Sequence, residues 1–217
     1  MRVAAAITLV LAAGCLDSPP DATSPDAAGP PICPFEDGFD EIDPDLWDVS
    51  PDSGGVIDVA GGRLYLAASP QSGDEFTYLQ VASAGEWELS GLTVTADLEV
   101  FWSGNGNGDA ALVMSRATES VGIIADSGFI TGIAGDVYVC SPETCDRTYS
   151  PADHRYWRIR EAAGELNLEA SDGGGVWIAV APPQPTPPGE HVLLFWSECG
   201  EQNLTTLFVQ NVSVECD

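Results

Sequence analysis

The feature that most constrains this chain is a strict alternation of apolar and polar side chains along residues 92–102. Every even position there is apolar, and the odd positions through Glu99 are polar. Because successive side chains of a strand point to opposite faces, this pattern predicts a β-strand with one face on a core. The same period of two flanks the turns at Gly61-Gly62 and Ala163-Gly164, which predicts two hairpins. No window shows a sustained helical period with a cap, so we expect helix to be scarce.

Other short alternating or apolar runs predict further strands. They lie at residues 56–59, 64–68, 78–82, 110–115, 121–125, 128–133, 136–140, 156–160, 166–170, 176–181, 191–196 and 204–216. Turns rich in Gly, Asp and Pro separate them. A dozen or so short strands with such turns predict an all-β fold, a two-sheet antiparallel sandwich.

The amino terminus has the pattern of an export signal. Arg2 is followed by an apolar run at residues 3–13 that is too short to cross a bilayer as a mature helix. The run closes on Gly14-Cys15, which resembles the lipobox of bacterial lipoproteins, where the Cys is lipidated and becomes the mature N-terminus. This resemblance predicts a signal peptide at residues 1–14 and a lipid anchor on Cys15. The alternative is ordinary signal-peptidase cleavage near Ala13, which also exports the chain.

Residues 15–32 follow as a Pro- and Asp-rich segment with almost no large apolar side chain. Such a composition predicts a disordered tether. Aromatic and alternating apolar residues begin beyond Cys33, so we expect one sandwich domain over residues 33–217. The expected location is the cell envelope, at the outer membrane or the extracytoplasmic face of a membrane.

The charge balance excludes one class of partner. The chain has 34 acidic and seven basic residues, all seven of them Arg, and its formal net charge is −27. A surface this negative repels phosphate backbones, so we expect no nucleic-acid partner. Docking on anionic lipid headgroups is disfavoured for the same reason, so membrane contact is expected through the lipid anchor only.

Two segments resemble a known family. The first is residues 35–47 (FEDGFDEIDPDLW), and the second is residues 154–160 (HRYWRIR), followed by Asp172-Gly173 and Trp177. Both are similar to motifs of concanavalin A-like lectin/glucanase domains of the laminin-G-like type, often found on bacterial lipoproteins. The resemblance covers residues 35–216 and implies a jelly roll whose concave sheet often carries a sugar or peptide site. The family's usual aromatic residue is Leu168 here, and three Gly residues widen the turn after Asp172.

The catalytic pattern of that superfamily is absent. Its retaining glucanases place a nucleophile and an acid/base on one strand as E-x-D-x-x-E, because alternate residues share a face. Glu41 and Asp43 begin such a pattern, but position 46 is Leu; Asp97 and Glu99 share a face, but position 102 is Trp. We therefore predict no enzyme but a binding module for cell-wall or extracellular glycan. The alternatives are a structural or protein-interaction domain without a small ligand, and a glycoside hydrolase with unassigned carboxylates.

Ligand candidates come from the second segment of the resemblance. His154, Tyr156, Arg158 and Arg160 lie together where most of the positive charge of the chain is concentrated. Arg side chains there can bind a carboxylate or a uronate, and His154 can orient a ligand. The alternative is that the Arg side chains neutralise acidic neighbours across the hairpin and that His154 is a structural hydrogen-bond partner.

One loop has the composition of a calcium ligand set. Asn105, Asn107 and Asp109 alternate with Gly, which lets their oxygens converge as Ca²⁺ requires. The alternative is a plain hairpin turn, and no other cofactor is expected.

Cysteine spacing fits an oxidising compartment. Because the termini of a sandwich commonly meet, we expect a Cys33–Cys216 disulfide, and Cys140 and Cys145 can close a short loop around Pro142. Other pairings stay open. Cys199 is then free. Of the six Trp residues, at least four lie in phase with apolar neighbours and are expected to be buried.

Overall fold

A computed structural model describes residues 33–50, 55–68, 77–103, 108–117, 119–135, 137–139, 147–199 and 204–217. These residues form sixteen strands in two antiparallel sheets, and they contain no helix. No membrane-spanning helix is therefore found in this part of the chain. The predicted two-sheet all-β sandwich is confirmed.

The first sheet has nine strands. They are Phe35–Asp37 (β1), Gly55–Val59 (β3), Leu64–Ala68 (β4), Leu92–Ser103 (β6), Tyr156–Ala162 (β11), Glu165–Ser171 (β12), Ile178–Ala179 (β13), Gln184–Pro185 (β14) and Leu204–Cys216 (β16). Their order is β13-β12-β11-β6-β16-β4-β3, with β1 paired to β16 and β14 paired to β12.

The second sheet has seven strands. They are Trp47–Ser50 (β2), Thr77–Glu88 (β5), Gly108–Arg116 (β7), Glu119–Asp126 (β8), Phe129–Ala134 (β9), Val137–Tyr138 (β10) and Glu190–Cys199 (β15). Their order is β10-β9-β8-β7-β15-β5-β2.

The main core lies between the two sheets. Along β6, buried even positions alternate with half-buried odd positions through Glu99, as the period of two predicts. The facing strand β7 contributes Leu112 and Met114, and large rings such as Phe195 and Trp157 fill the space between the sheets. Burial of each large apolar side chain stabilises the fold by about 1.5–3 kcal/mol, so this layer holds the sheets together.

The second sheet is also apolar on its other face. Ala111 and Val113 of β7 alternate with the core residues of that strand, so they point away from the first sheet. They belong to a second buried cluster. Its members are Ala82, Ala111, Val113, Ile124, Ile133, Leu194 and Trp196, with Tyr78 and Tyr138 packed against it. Strands β7 and β15 read as continuous apolar runs because both of their faces are buried.

A disulfide joins the two ends of the domain. Cys33, just before β1, is bonded to Cys216 at the end of β16, with their Cα atoms 6.1 Å apart. This confirms the predicted pair, and Cys199 is free and buried. The predicted Cys140–Cys145 pair and the anchor at Cys15 lie outside the described residues.

The expected burial of at least four Trp residues is confirmed. The buried ones are Trp47, Trp87, Trp157 and Trp196.

The predicted strand at residues 176–181 is shorter than expected. The strand itself is Ile178–Ala179, and Val180 adds one amide hydrogen bond to the Leu168 carbonyl of β12; the chain enters from three glycines and leaves into Pro182-Pro183. Val176 is exposed, whereas Val180 and Ala181 turn inward and are buried.

Candidate functional site

Four strands of the second sheet bring one row of polar side chains together on its outer face. Glu198 of β15 lies opposite Tyr78 of β5 on one side and opposite Asp109 of β7 on the other. Asp109 in turn lies opposite Asp126 of β8. All four side chains are half-buried. Register partners on adjacent strands lie side by side on the same face, so these four residues form one row across the sheet. We call it the acidic row because three of its members are carboxyl residues.

Asp109 and Asp126 share a proton at the centre of this row. The pKa of Asp109 is raised from 3.8 to about 9, first by burial and then by the negative charges of Asp126 and Glu198. At neutral pH Asp109 is therefore protonated and donates a hydrogen bond to Asp126. The Tyr138 hydroxyl of β10 donates to Asp126 Oδ2 at 3.1 Å and lies 3.4 Å from Asp109 Oδ2.

The row of side chains next to the acidic row contributes an aromatic ring and an amide group. Gln80 pairs with Trp196, which in turn pairs with Ala111, and both Gln80 and Trp196 are only 6% exposed. The rings of Tyr78 and Trp196 contact each other edge to face, with their centroids 5.7 Å apart. The acidic row, which includes Tyr78, therefore lies directly beside the Trp196 ring and the Gln80 side-chain amide.

In the part of the chain that the structure describes, three polar atoms of this face have no hydrogen-bond partner. They are Tyr78 Oη, Gln80 Oε1 and Trp196 Nε1, and each of them is buried. Buried polar groups in folded proteins nearly always have partners, and an unsatisfied one costs about 1–3 kcal/mol. These unsatisfied atoms are concentrated on one face beside the acidic row, and this face is the candidate site.

The electrostatic surroundings of the site are negative. Among the described residues, the charges that shift the pKa of Asp109 belong to carboxylates. Burial and the nearby Glu198 also raise the pKa of the Tyr78 hydroxyl, so that Tyr78 stays a neutral donor. Arg116, at the far end of β7, donates to the Pro188 carbonyl at 2.9 Å.

The Arg candidates lie elsewhere, on the outer face of the first sheet. Arg158 donates from Nε to Glu169 at 2.9 Å and places its guanidinium 3.9 Å from the centroid of the Trp177 ring. Arg160 lies 3.5 Å from the same carboxylate. Tyr156 is half-buried beside Gly173, where the ring leaves no room for a Cβ. The two Arg side chains are thus paired across the β11–β12 hairpin.

His154 is buried under this hairpin. Its Nδ1 accepts a hydrogen bond from the Ser150 amide at 3.0 Å, and its ring stacks on Tyr149 with 5.9 Å between centroids. Its carbonyl accepts from Trp157 Nε1 at 2.8 Å. Burial lowers the pKa of His154, which keeps the ring neutral. These contacts position the loop that precedes β11, and they keep His154 apart from the acidic row.

Asp97 and Glu99 are ion-paired on the outer face of the first sheet. Arg155 binds both carboxylate oxygens of Asp97, at 2.7 and 3.0 Å, and lies 3.4 Å from Glu99. Arg63 reaches Glu99 from the β3–β4 turn at 3.4 Å. This pair forms a surface charge network, as expected for the hydrated side of a sheet.

The predicted calcium ligands lie partly inside and partly outside the described residues. Asn105 and Asn107 lie outside the described residues, whereas Asp109 is in β7 with its carboxyl bound to Asp126 and Tyr138. Among the described residues, no group of three His, Cys, Asp or Glu side chains is arranged to hold a metal ion. The described part of the chain therefore supplies no calcium ligand set of its own.

Sequence reasoning missed most of this face. Tyr78, Gln80, Asp126, Tyr138 and Glu198 come from four different strands, and only the arrangement of the sheet unites them. One signal was present. The runs at residues 110–114 and 192–196 are apolar at every position, which indicates strands buried on both faces and so a second covered surface.

Comparison with known proteins shows the fold. No family model matches the chain, and no curated protein matches it in sequence. Among solved structures, it is similar to Rv0315, described as an immunostimulatory antigen and pseudo beta-1,3-glucanase of Mycobacterium tuberculosis (15% identity, 84% of this chain and 98% of that chain, TM-score 0.57). It is also similar to a Bacillus licheniformis beta-glucanase (11%, 88% and 100%, TM-score 0.53).

A third similar structure is the exoplasmic/lumenal domain of VIP36 bound to Ca²⁺ and Man3GlcNAc (13% identity, 79% of this chain and 84% of that chain, TM-score 0.53). At these identities the likeness establishes the concanavalin A-like jelly roll and leaves the ligand to be argued from the residues.

Proposed function

We propose that this chain is a glycan-binding module that does not cleave its ligand, and that the ligand binds on the outer face of the second sheet. The observation that carries the proposal is the combination of groups on this face. It combines the rings of Tyr78 and Trp196 with an unpartnered amide oxygen on Gln80 and the adjacent carboxyls of the acidic row. Sugars present apolar C–H faces for aromatic rings and hydroxyls for carboxyl and amide groups, so this combination suits them.

The spacing of the carboxyls supports a binding role. Glycoside hydrolases need two carboxyl groups about 5–5.5 Å apart for retention, or about 6.5–9.5 Å apart for inversion, with the scissile bond between them. Asp109 and Asp126 are hydrogen-bonded directly to each other, which leaves no space for a sugar carbon. The similarity to a protein described as a pseudo beta-1,3-glucanase is consistent with this reading.

One observation favours hydrolysis as the second candidate function. Asp109 keeps a proton at neutral pH beside Glu198 of the adjacent strand, and a protonated carboxyl next to an ionised one is the arrangement of a general acid and a nucleophile. Release of reducing ends from β-glucans by the mature protein, abolished in Glu198→Gln, would establish that candidate and overturn the binding-only proposal.

The proposed location is the cell envelope, with a lipid on Cys15 and residues 15–32 as the tether. The Cys33–Cys216 disulfide supports export, because such bonds persist in oxidising compartments. Mass spectrometry of the protein from its native membrane tests this. A lipidated N-terminal Cys15 is expected, and a chain that starts at Met1 without modification would overturn the location.

A binding experiment tests the proposed function. The mature protein is screened on a glycan array with and without Ca²⁺, and the best ligand is titrated calorimetrically against Tyr78→Phe. Because Tyr78 Oη has no hydrogen-bond partner among the described residues, its removal should leave folding intact. Loss of a ligand hydrogen bond should weaken binding about 5- to 10-fold.

The matched control is Tyr65→Phe, on the outer face of the first sheet against Phe208. Its affinity should equal that of the wild type. Absence of any glycan ligand, or an equal loss in both variants, would contradict the proposal.

A further inference from the structure

The loop that precedes β11 holds the second sheet at the β8–β9 turn. The Ile130 amide of β9 donates to the Arg147 carbonyl at 3.0 Å, and the Tyr149 amide donates to the Gly128 carbonyl at 2.8 Å. Both bonds join the loop to the turn and the strand beside it, so the turn is fixed as long as the loop keeps its shape. We call residues 147–155 the clamp loop.

Tyr149 also fixes the clamp loop to the first sheet. Its buried hydroxyl oxygen accepts a hydrogen bond from the Val100 amide of β6 at 3.0 Å. Its ring contacts the Trp102 ring of β6 edge to face and stacks on the ring of His154, with 5.2 and 5.9 Å between the centroids. The clamp loop therefore connects the two sheets, and the position of Tyr149 depends on His154.

The hydrogen bond that closes the clamp loop requires an unprotonated Nδ1 on His154. The Ser150 amide donates to this nitrogen at 3.0 Å, and a backbone N–H can only donate. In the imidazolium both ring nitrogens carry hydrogens, so protonation would place two donors 3.0 Å apart, and no rotation of the ring would restore an acceptor. Because His154 is buried, water cannot replace the lost bond while the loop stays closed.

We infer that His154 is an acid-sensitive switch, whose protonation at Nδ1 breaks the bond to Ser150 and releases the clamp loop from β9 and β6. This inference goes beyond the proposed glycan-binding function and does not depend on it. The step is an acid–base equilibrium. Solvent supplies one proton to the lone pair of Nδ1, and only hydrogen bonds are broken.

The charges of Asp153 and Arg147 act on His154 from within the clamp loop. Burial lowers the pKa of His154 below its ordinary 6.5, Asp153 raises it, and Arg147 lowers it. Burial also raises the pKa of the stacked Tyr149, so that ring stays neutral. The open loop thus binds more proton than the closed loop. The closed loop is therefore fully stable above pH 6.5 and loses stability as pH falls below that value.

The strands packed against the clamp loop bring no uncompensated charge to it within the described part of the chain. Strand β9 has no ionisable side chain. On β6, the carboxylates of Asp97 and Glu99 are bound by Arg155 at 2.7 and 3.4 Å. On β11, the neutral Trp157 donates from Nε1 to the His154 carbonyl at 2.8 Å. The pH dependence of the loop should therefore follow His154.

Amide hydrogen exchange on the mature protein measures the opening, once it is corrected for the intrinsic pH dependence of exchange. The protection factors of the Ser150 and Tyr149 amides should fall about 5-fold or more between pH 6.5 and pH 5. The Ala60 amide, which donates to the Arg63 carbonyl in the β3–β4 turn, is the internal reference and should keep its protection.

Two variants at the same position separate the proton from the acceptor. In His154→Asn, the side-chain oxygen can accept from the Ser150 amide but does not titrate, so protection should be equal at the two pH values. His154→Phe keeps a ring against Tyr149 and removes the acceptor, so protection should be low at both. Protection in His154→Phe that matches the wild type at pH 6.5 would overturn the inference, and so would a pH-dependent loss that persists in His154→Asn.

NMR titration of the wild-type imidazole rings gives a measurement that needs no variant. The His154 ring and the Ser150 amide should change together as pH falls, whereas the ring of His191, whose Nδ1 lies 2.9 Å from the Gly189 carbonyl, should titrate without moving the Ser150 signal. A Ser150 amide that stays in place while His154 gains its proton would overturn the switch. Constant protection of the wild-type loop down to pH 5, or a His154 ring still neutral there, would overturn it as well.

Discussion

Replacement of Asp109 by Asn should remove the pH dependence that this residue gives to stability. An Asn side chain has the shape of the protonated carboxyl, so it can still donate to Asp126 and accept from Tyr138. It does not titrate. The variant therefore isolates the free energy associated with the proton on Asp109.

The size of the effect follows from the pKa of Asp109. This pKa is about 9 in the folded protein and 3.8 ordinarily, so between these values the folded state binds more proton than the unfolded state. The contribution of Asp109 to stability is therefore greatest below pH 4 and falls as pH rises, by about 1.4 kcal/mol per pH unit. From pH 5 to pH 8 the wild-type protein should lose about 4 kcal/mol that Asp109→Asn retains.

Urea unfolding followed by Trp fluorescence at pH 5 and pH 8 measures this difference. The stability of Asp109→Asn relative to wild type should increase by about 4 kcal/mol between the two pH values. Asp48→Asn, an exposed carboxyl on β2 of the same sheet, serves as the control and should follow the wild type. Parallel pH profiles for wild type and Asp109→Asn would refute a shared proton in the acidic row.

Three further predictions follow from other contacts. Reduction of the Cys33–Cys216 bond, whose partners are 183 residues apart, should lower the free energy of unfolding by about 4–5 kcal/mol, measured by urea unfolding with and without reductant; an unchanged midpoint would contradict it. Trp157→Ala, which empties a fully buried position between the sheets, should cost about 3–5 kcal/mol in the same assay, and a loss below 1 kcal/mol would contradict the packing. Arg158→Ala should lower stability by less than about 1 kcal/mol and leave glycan affinity unchanged, since its Glu169 partner is on the first sheet; a large loss of affinity would move the site to that sheet.

The local sequence pattern predicted the fold because the alternation along each strand shows which of its side chains face the core. The alternation along residues 92–102 became β6, and the turns at Gly61-Gly62 and Ala163-Gly164 became the predicted hairpins. The termini came together in the predicted disulfide because a sandwich ends near where it begins. These features depend only on neighbours in the chain or on one general property of the architecture.

The acidic row could not be predicted in this way. In the sequence, Asp109 follows a Gly- and Asn-rich segment and is grouped with it as a predicted calcium ligand, Tyr78 begins a predicted strand, and Glu198 precedes a cysteine. Their association depends on the order β8-β7-β15-β5 and on the register within it. The Arg-rich hairpin drew attention because its charges are adjacent in sequence, yet the structure pairs them with Glu169 and Asp97.

The most direct test of the account follows the indole N–H signals of the protein during glycan titration by NMR. Trp196 Nε1 is buried and has no partner in the site, Trp157 Nε1 donates to the His154 carbonyl, and Trp177 lies under Arg158 on the first sheet. With signals assigned by single Trp→Phe variants, the Trp196 resonance should move as ligand is added while those of Trp157 and Trp177 stay in place. Movement of Trp177 with Trp196 unchanged would contradict a ligand site on the second sheet.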